Sequence, residues 1–377
     1  MFNLKNKFAL LLVATLVGCG GGGSSSSPQS PTGPVISATL YDTSYKNFKS
    51  YPIHTLTYPS YRGSSGYDPI VFGYGDFNKA GELGVFIAYT NHHTSMTTAT
   101  INSDTKYLSD FTFWSINSDK TMTMVSSVKG CLNPRKAVVA DFNKDGIPDV
   151  FVACHGHDVL PFAGEKSKLV LSKSRGVYTT TDIGNMDFGH GASAADINND
   201  GYPDIVVATG TDVYFYINQG NGSFVKDTTK IIHGNYNLDQ YYSVELIDIN
   251  SDGKIDLLVG GNDFLIEHPT RILYGDGSTF GKTSKIIPTV KGSGTVLDFT
   301  YIESKKQLFL GRVYDPTNTA GSYTGWTLQG FNLDTGISSI IASMLGQWVF
   351  WFIPATVDNK TGVSAFPLYY TSNFYSF

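Results

Sequence analysis

Three short segments carry oxygen ligands at a repeating spacing. They are Asp141, Asn143, Asp145, Gly146 and Asp149; Asp196, Asn198, Asp200, Gly201 and Asp204; and Asp248, Asn250, Asp252, Gly253 and Asp256. Each reads D-x-N-x-D-G-x-x-D. Side-chain oxygens at positions 1, 3, 5 and 9, with the carbonyl of position 7 (Ile147, Tyr202 or Lys254), suit a hard cation such as Ca²⁺. Glycine at position 6 permits the sharp turn that folds the oxygens inward. Three carboxylates in one turn repel each other until a cation neutralises them. The expectation is about three Ca²⁺ sites with a structural role.

Each segment runs directly into an apolar stretch: Val150–Cys154, Ile205–Thr209 and Leu257–Gly261. Continuous apolar runs of this length, after a turn signal, read as buried strands. The first aspartates lie at 141, 196 and 248, in steps of 55 and 52 residues. Weaker copies start at Asp76, which keeps Asn78 and Gly81 but has Ala80 and Gly84 at positions 5 and 9, at Asp298, and at Asp358. A period of this size marks a solenoid, propeller or array.

The repeat resembles the FG-GAP/VCBS family, whose members form β-propellers, the head of integrin α subunits among them. The name-giving dipeptide is visible as Phe72-Gly73 before Asp76 and as Phe188-Gly189 before Asp196. The resemblance spans about residues 35–377 and implies an all-β propeller with four antiparallel strands per blade. Blade two is predicted as Lys136–Ala140, Val150–Ala153, Ser167–Ser172 and Val177–Asp182. Blade one is placed at about 70–127, three at 192–232, four at 243–287 and five at 295–341. Pairing Trp348–Ala355 and Val363–Tyr370 with Ile36–Asp42 and Tyr51–Tyr58 predicts a sixth blade closed by both termini, with seven blades as the alternative.

In a propeller the metal loops, joining first and second strands, share one face. The second-to-third and fourth-to-first loops gather on the other. Aligning the repeats places His92, His93, His155, His157, His190, Arg135, Asp212, Tyr241 and Tyr242 there. Three readings stay open: ordinary polar loops, a platform for a glycan or protein ligand, and a catalytic or transition-metal site. Some propellers, ulvan lyases among them, cleave uronate-containing polysaccharides by β-elimination. That analogy implies Tyr242 or His190 as base, Arg135 as neutraliser of the uronate carboxylate and His157 as acid. Neither a G-x-S-x-G elbow nor H-E-x-x-H occurs. A binding and adhesion module is the leading expectation, with polysaccharide lyase as the alternative.

The ends and composition bound the setting. Lys5 and Lys7 precede ten apolar residues, Phe8–Val17, too few to span a bilayer. Leu16-Val17-Gly18-Cys19 looks like a bacterial lipobox, so residues 1–18 read as a lipoprotein signal peptide and Cys19 as the lipidated residue. Residues 19–34 form a Gly/Ser/Pro tether, and residues 35–377 form the propeller. The expected place is the bacterial cell envelope, at the outer membrane or cell surface, with the membrane reached through Cys19. Loss of two lysines leaves 25 basic against 32 acidic groups, a net charge of −7 that three Ca²⁺ ions bring to −1. No basic stripe exists, which argues against nucleic-acid binding. Cys131 and Cys154 suit a disulfide in an oxidising compartment, although the predicted hairpin register sets Cys154 opposite Lys136.

Overall fold

Runs of Val, Ile, Phe and Tyr bounded by Gly, Asn and Asp turns become strands throughout. The computed structural model describes residues 67–91, 108–156, 162–234, 236–265, 267–314, 324–346, 349–357, 360–367 and 373–376. Blade one is β1 (Tyr67–Lys79), β2 (Glu82–Asn91), β3 (Asp110–Ile116) and β4 (Met122–Lys129). Blade two is β5 (Pro134–Ala140), β6 (Asp149–Cys154), β7 (Glu165–Ser174) and β8 (Val177–Asp187). Blade three is β9 (Gly191–Ala195), β10 (Asp204–Ala208), β11 (Val213–Asn218) and β12 (Phe224–Asp227). Blade four is β13 (Tyr241–Ile247), β14 (Asp256–Gly261), β15 (Arg271–Gly275) and β16 (Phe280–Ile286). Blade five is β17 (Ser293–Ile302), β18 (Gln307–Tyr314), β19 (Gly325–Asn332) and β20 (Ser338–Leu345). Within each blade the strands pair antiparallel in chain order.

The blade number corrects the sequence expectation. Among the described residues there are five four-stranded blades, not the six expected or the alternative seven. The remaining sheet has three strands, β21 (Val349–Val357), β22 (Lys360–Pro367) and β23 (Asn373–Ser376), all from the C-terminal part of the chain. The four-residue strand Asn373–Ser376 is additional to the two strands expected in this part of the chain. The segments 36–42 and 51–58, assigned to the closing blade, lie outside the described residues.

Burial follows from blade-on-blade packing. Inner strands are covered on both faces: β6, β9, β10 and β14 are buried along their whole length, whereas outer strands such as β8 and β16 are largely exposed. The period-two alternation of a strand sorts the contacts. Val139, Val150 and Val152 belong to one apolar cluster with Val71 and Phe86 of blade one. Their neighbours Val138, Phe151 and Ala153 belong to another, with Ile205 and Tyr214 of blade three. Blades three and four share a core through Phe215, Leu246 and Leu257, and blades four and five through Leu258, Val296 and Leu310.

Polar groups also cross between inner strands. The Lys136 ammonium lies 3.6 Å from Asp298 and 3.9 Å from Glu245, all nearly solvent-free. Ser193 donates to Glu245 at 3.0 Å and accepts the Leu246 amide at 3.1 Å. One residue from each of blades two to five thus meets in a single buried network.

Candidate functional site

The three D-x-N-x-D-G loops join β5 to β6, β9 to β10 and β13 to β14. They fold alike. In blade two the Asp145 amide donates to Asp141 Oδ1 (3.1 Å) and Asn143 Oδ1 (3.0 Å). The Gly146 amide donates to Asp141 Oδ2 (2.9 Å), and the Ile147 amide to Asp145 Oδ1 (2.9 Å). Blade three repeats these four bonds at 3.1, 3.0, 2.8 and 2.8 Å, and blade four at 3.1, 2.9, 2.9 and 2.9 Å. The backbone is left-handed at position 4 (Lys144, Asn199 and Ser251, φ 60–61°) and at position 6 (Gly146, Gly201 and Gly253, φ 83–89°). Only glycine enters that region freely, which explains its place at position 6. The oxygens of positions 1 and 3 therefore converge on one amide, with the position 5 carboxylate beside them.

Position 9 performs a second task. Asp149, Asp204 and Asp256 are 0% exposed. Each receives a loop amide on Oδ2: Phe142 at 2.8 Å, Ile197 at 3.2 Å and Ile249 at 3.1 Å. Each receives a third-strand amide on Oδ1: Ser172 at 2.7 Å, Asn218 at 2.8 Å and Gly275 at 2.9 Å. The carboxylate thus clamps the metal loop to the third strand. Burial, opposed by these bonds, holds all three up at about 7. Burial likewise raises Asp141.

The donor set fits a hard dication. Among the described residues no lysine or arginine forms an ion pair with any of the nine loop carboxylates. Asp141, Asn143, Asp145, Asp149 and the Ile147 carbonyl would hold the ion in blade two. Asp196, Asn198, Asp200, Asp204 and Tyr202 would do so in blade three, and Asp248, Asn250, Asp252, Asp256 and Lys254 in blade four. A bound dication there would supply charge neutralisation and loop cross-linking.

The weaker copies diverge. In blade one, β1 and β2 meet in a tight hairpin, and Asp76 Oδ2 accepts the Gly81 amide at 3.2 Å. Asp298 sits inside the unbroken strand β17, facing Lys136. Asp358 lies outside the described residues.

On the opposite face a disulfide joins Cys131, just before β5, to Cys154, at the end of β6, with Cα atoms 6.4 Å apart. The observed register pairs Pro134 with Cys154 and Lys136 with Ala153, with a bulge at Arg135 between them. That shift brings Cys131 within reach. Nearby, the Glu165 carboxylate accepts the Leu132 amide at 2.9 and 3.1 Å, and the Asn133 carbonyl accepts the His155 amide at 3.1 Å.

Above this base lies a row of rings. Exposed Phe162, with φ +54°, packs edge-on to half-buried Phe188 at 5.7 Å. Phe188 stacks on His155 at 4.2 Å, His155 lies parallel to His190 at 6.1 Å, and His190 meets Tyr242 edge-on at 5.1 Å. His155 Nδ1 faces the Gly156 carbonyl at 2.9 Å, and His190 Nδ1 faces the Tyr242 carbonyl at 3.1 Å. Burial, reinforced by the Arg135 charge, holds His155 well below its ordinary range and His190 down at about 3.

The structure therefore brings Arg135, His155, His190 and Tyr242 together. His155 and Tyr241 are fully buried, the Tyr241 hydroxyl donating to the Pro269 carbonyl at 3.1 Å. Half-buried Asp212 closes a local turn, its Oδ1 accepting the Val213 amide at 2.8 Å. His92, His93 and His157 lie outside the described residues. Phe162 and Phe188 were not singled out as site residues, although Phe188 is the aromatic half of the second Phe-Gly pair.

Residues 196–259 match the FG-GAP-like repeat. The chain is 30% identical to integrin alpha-3 of Cricetulus griseus over a region that covers 29% of this chain and 13% of that protein. Its fold is similar to that of Saccharomyces cerevisiae Sqt1, at 9% identity and TM-score 0.45, covering 81% of this chain and 83% of that one. It is also similar to the Malassezia sympodialis allergen Mala s 1, at 8% identity and TM-score 0.39, covering 85% and 81% respectively. The blade architecture makes the chain a β-propeller, and residues 196–259 within it carry an FG-GAP-like repeat.

Proposed function

We propose that this protein is a calcium-stabilised lipoprotein of the bacterial cell envelope. Cys19 carries the lipid, residues 20–34 form the tether, and the propeller binds an extracellular ligand through the face opposite the metal loops. The observation that carries the reading is the pairing of two faces. One holds three alike oxygen-lined loops without a protein counter-cation; the other holds the Phe162–Phe188–His155–His190–Tyr242 row beside Arg135. Rigid scaffolds commonly present binding residues on such loops. An exposed phenylalanine held in left-handed backbone is a costly arrangement that fits a role in contact. Ring faces next to a guanidinium suit a glycan that carries carboxylates, with a protein ligand as the other outcome.

Binding is favoured over β-elimination by the state of the histidines. A general base works best with a pKa near the working pH. With His190 at about 3 and His155 well below its ordinary range, both rings are neutral and weakly basic at pH 7.

The test uses purified Cys19→Ser protein with Ca²⁺, screened against uronate-containing polysaccharides. Retention is followed together with the ultraviolet absorbance of unsaturated uronate. The proposal expects retention without an absorbance rise, lost in Phe162→Asn, which keeps the left-handed backbone accessible. An absorbance rise abolished by Tyr242→Phe would instead make the protein a lyase. No retention of any glycan would remove the glycan reading and leave a protein ligand.

A further inference from the structure

The loop of blade one lacks carboxylates at positions 5 and 9, where Ala80 and Gly84 stand. Its remaining aspartate, Asp76, is nevertheless nearly buried, with its side chain 8% exposed. The neutralising charge comes from the next blade. Arg175, at the tip of the β7–β8 turn, sets Nη1 3.0 Å from Asp76 Oδ2 and also donates to the Asp76 carbonyl. Its Nη2 donates to the Gly146 carbonyl, in the metal loop of blade two, at 3.3 Å. The same hairpin donates twice more to the blade-one loop: the Gly176 amide of the turn and the hydroxyl of Tyr178 on β8 reach the Phe77 carbonyl at 3.0 and 2.9 Å.

The equivalent contact in the next pair of blades supplies the contrast. Asn218, ahead of the β11–β12 turn, donates to the Phe142 carbonyl of the blade-two loop at 2.8 Å. The turn that follows, Gln219–Ser223, carries no charge. Phe142 holds the loop position that Phe77 holds in blade one. So both loops are capped at their second carbonyl by the following blade. The cap brings a cation only where the loop has lost two of its three carboxylates.

We infer that Arg175 is the fixed cation of the blade-one loop, a guanidinium doing there what a bound metal does in the complete loops. A planar guanidinium is always charged and offers several donors in one fork, so it can hold a carboxylate and two carbonyls together. Blade one is then seated on blade two without metal, and the seat reaches the shoulder of the blade-two loop through Gly146. The comparison with a metal rests on the calcium reading above; the Arg175–Asp76 coupling does not.

The experiment is a double-mutant cycle of Arg175→Met and Asp76→Asn in the full chain, read by thermal unfolding in Ca²⁺ and in chelator, with bound calcium counted by native mass spectrometry. Arg175→Met is expected to lower the midpoint by several degrees in both conditions. Asp76→Asn in the Arg175→Met background should cost less than it does alone, because the uncompensated buried carboxylate is then gone. Bound calcium should be equal in wild type and Arg175→Met. Additive effects of the two substitutions would overturn the inference. So would a loss of bound calcium in Arg175→Met matched by recovery of its midpoint at high Ca²⁺, which would place Arg175 in the blade-two loop instead. A wild-type melt indifferent to chelator, with non-additivity kept, would sink the calcium reading alone.

Discussion

Replacing Arg312 with methionine should be among the most damaging single changes outside the apolar core. Arg312 on β18 and Asp263, in the loop after β14, are both 0% exposed and pair in bidentate geometry at 2.8 and 2.7 Å. Arg312 also donates to Gln329 Oε1 at 2.7 Å and to the Gly294 carbonyl at 3.0 Å. Methionine keeps much of the volume but leaves Asp263 charged in a dry site, with the Thr270 hydroxyl at 2.6 Å as a remaining donor. Removing one partner of a buried pair typically costs about 3–5 kcal/mol. An exposed pair is worth about 0–1 kcal/mol, and Lys168–Asp182, whose aspartate is 55% exposed, serves as the comparison. Urea unfolding should show Arg312→Met shifted far below wild type and Lys168→Met close to it. The double variant Arg312→Met/Asp263→Asn should recover part of the loss. Equal small costs at the two sites would refute the argument that blades four and five are pinned by a desolvated ion pair.

Other outcomes follow from the same geometry. Replacing Cys131 with serine opens a loop with a sequence separation of 23 residues, which the chain-entropy model values at about 3 kcal/mol; unfolding with and without reductant measures it, and reductant should leave the variant unchanged. The contribution of His190 to stability should fall as pH drops from 6.5 toward 3, because the unfolded chain protonates it from 6.5 downward while the folded chain resists until about 3. Each such histidine contributes about 1.4 kcal/mol per pH unit. His190→Asn should therefore reduce the acid slope of a urea-unfolding series by one proton, and an unchanged slope would contradict the burial argument. Glu165 runs the other way: burial raises it from 4.5 to about 7, so its contribution is present below 4.5 and is lost as pH rises through about 7. Glu165→Gln should flatten that part of the same series.

Local chemistry was legible; long-range placement was not. The D-x-N-x-D-G pattern encodes its own turn, so the left-handed glycine at position 6 and the inward oxygens could be read from residue types, whereas the left-handed position 4, filled by Lys144, Asn199 and Ser251, could not. The uniform apolar runs after each loop announced strands covered on both faces. The three-stranded last sheet escaped because Asn373–Ser376 is too short to show a period. The disulfide was obscured by a bulge at Arg135 that shifts the hairpin by one residue. His155 sits in a polar loop sequence and looked exposed, yet Phe188, from the loop after β8, covers it. The Arg175–Asp76 pair joins residues 99 positions apart, in different blades; nothing in local spacing could reveal it.

The account stands or falls on metal in the three loops. Extracellular calcium modules bind with dissociation constants of about 10⁻⁴–10⁻³ M, so Ca²⁺ at about 10 mM would stabilise each site by about 1.4–2.7 kcal/mol through linkage alone. The direct measurement is the unfolding midpoint of the purified protein in Ca²⁺, in chelator, and in chelator followed by excess Ca²⁺. The account predicts a lower midpoint in chelator, full recovery on adding Ca²⁺, and a smaller shift in Asp204→Ala. A midpoint that is the same in all three conditions would contradict it.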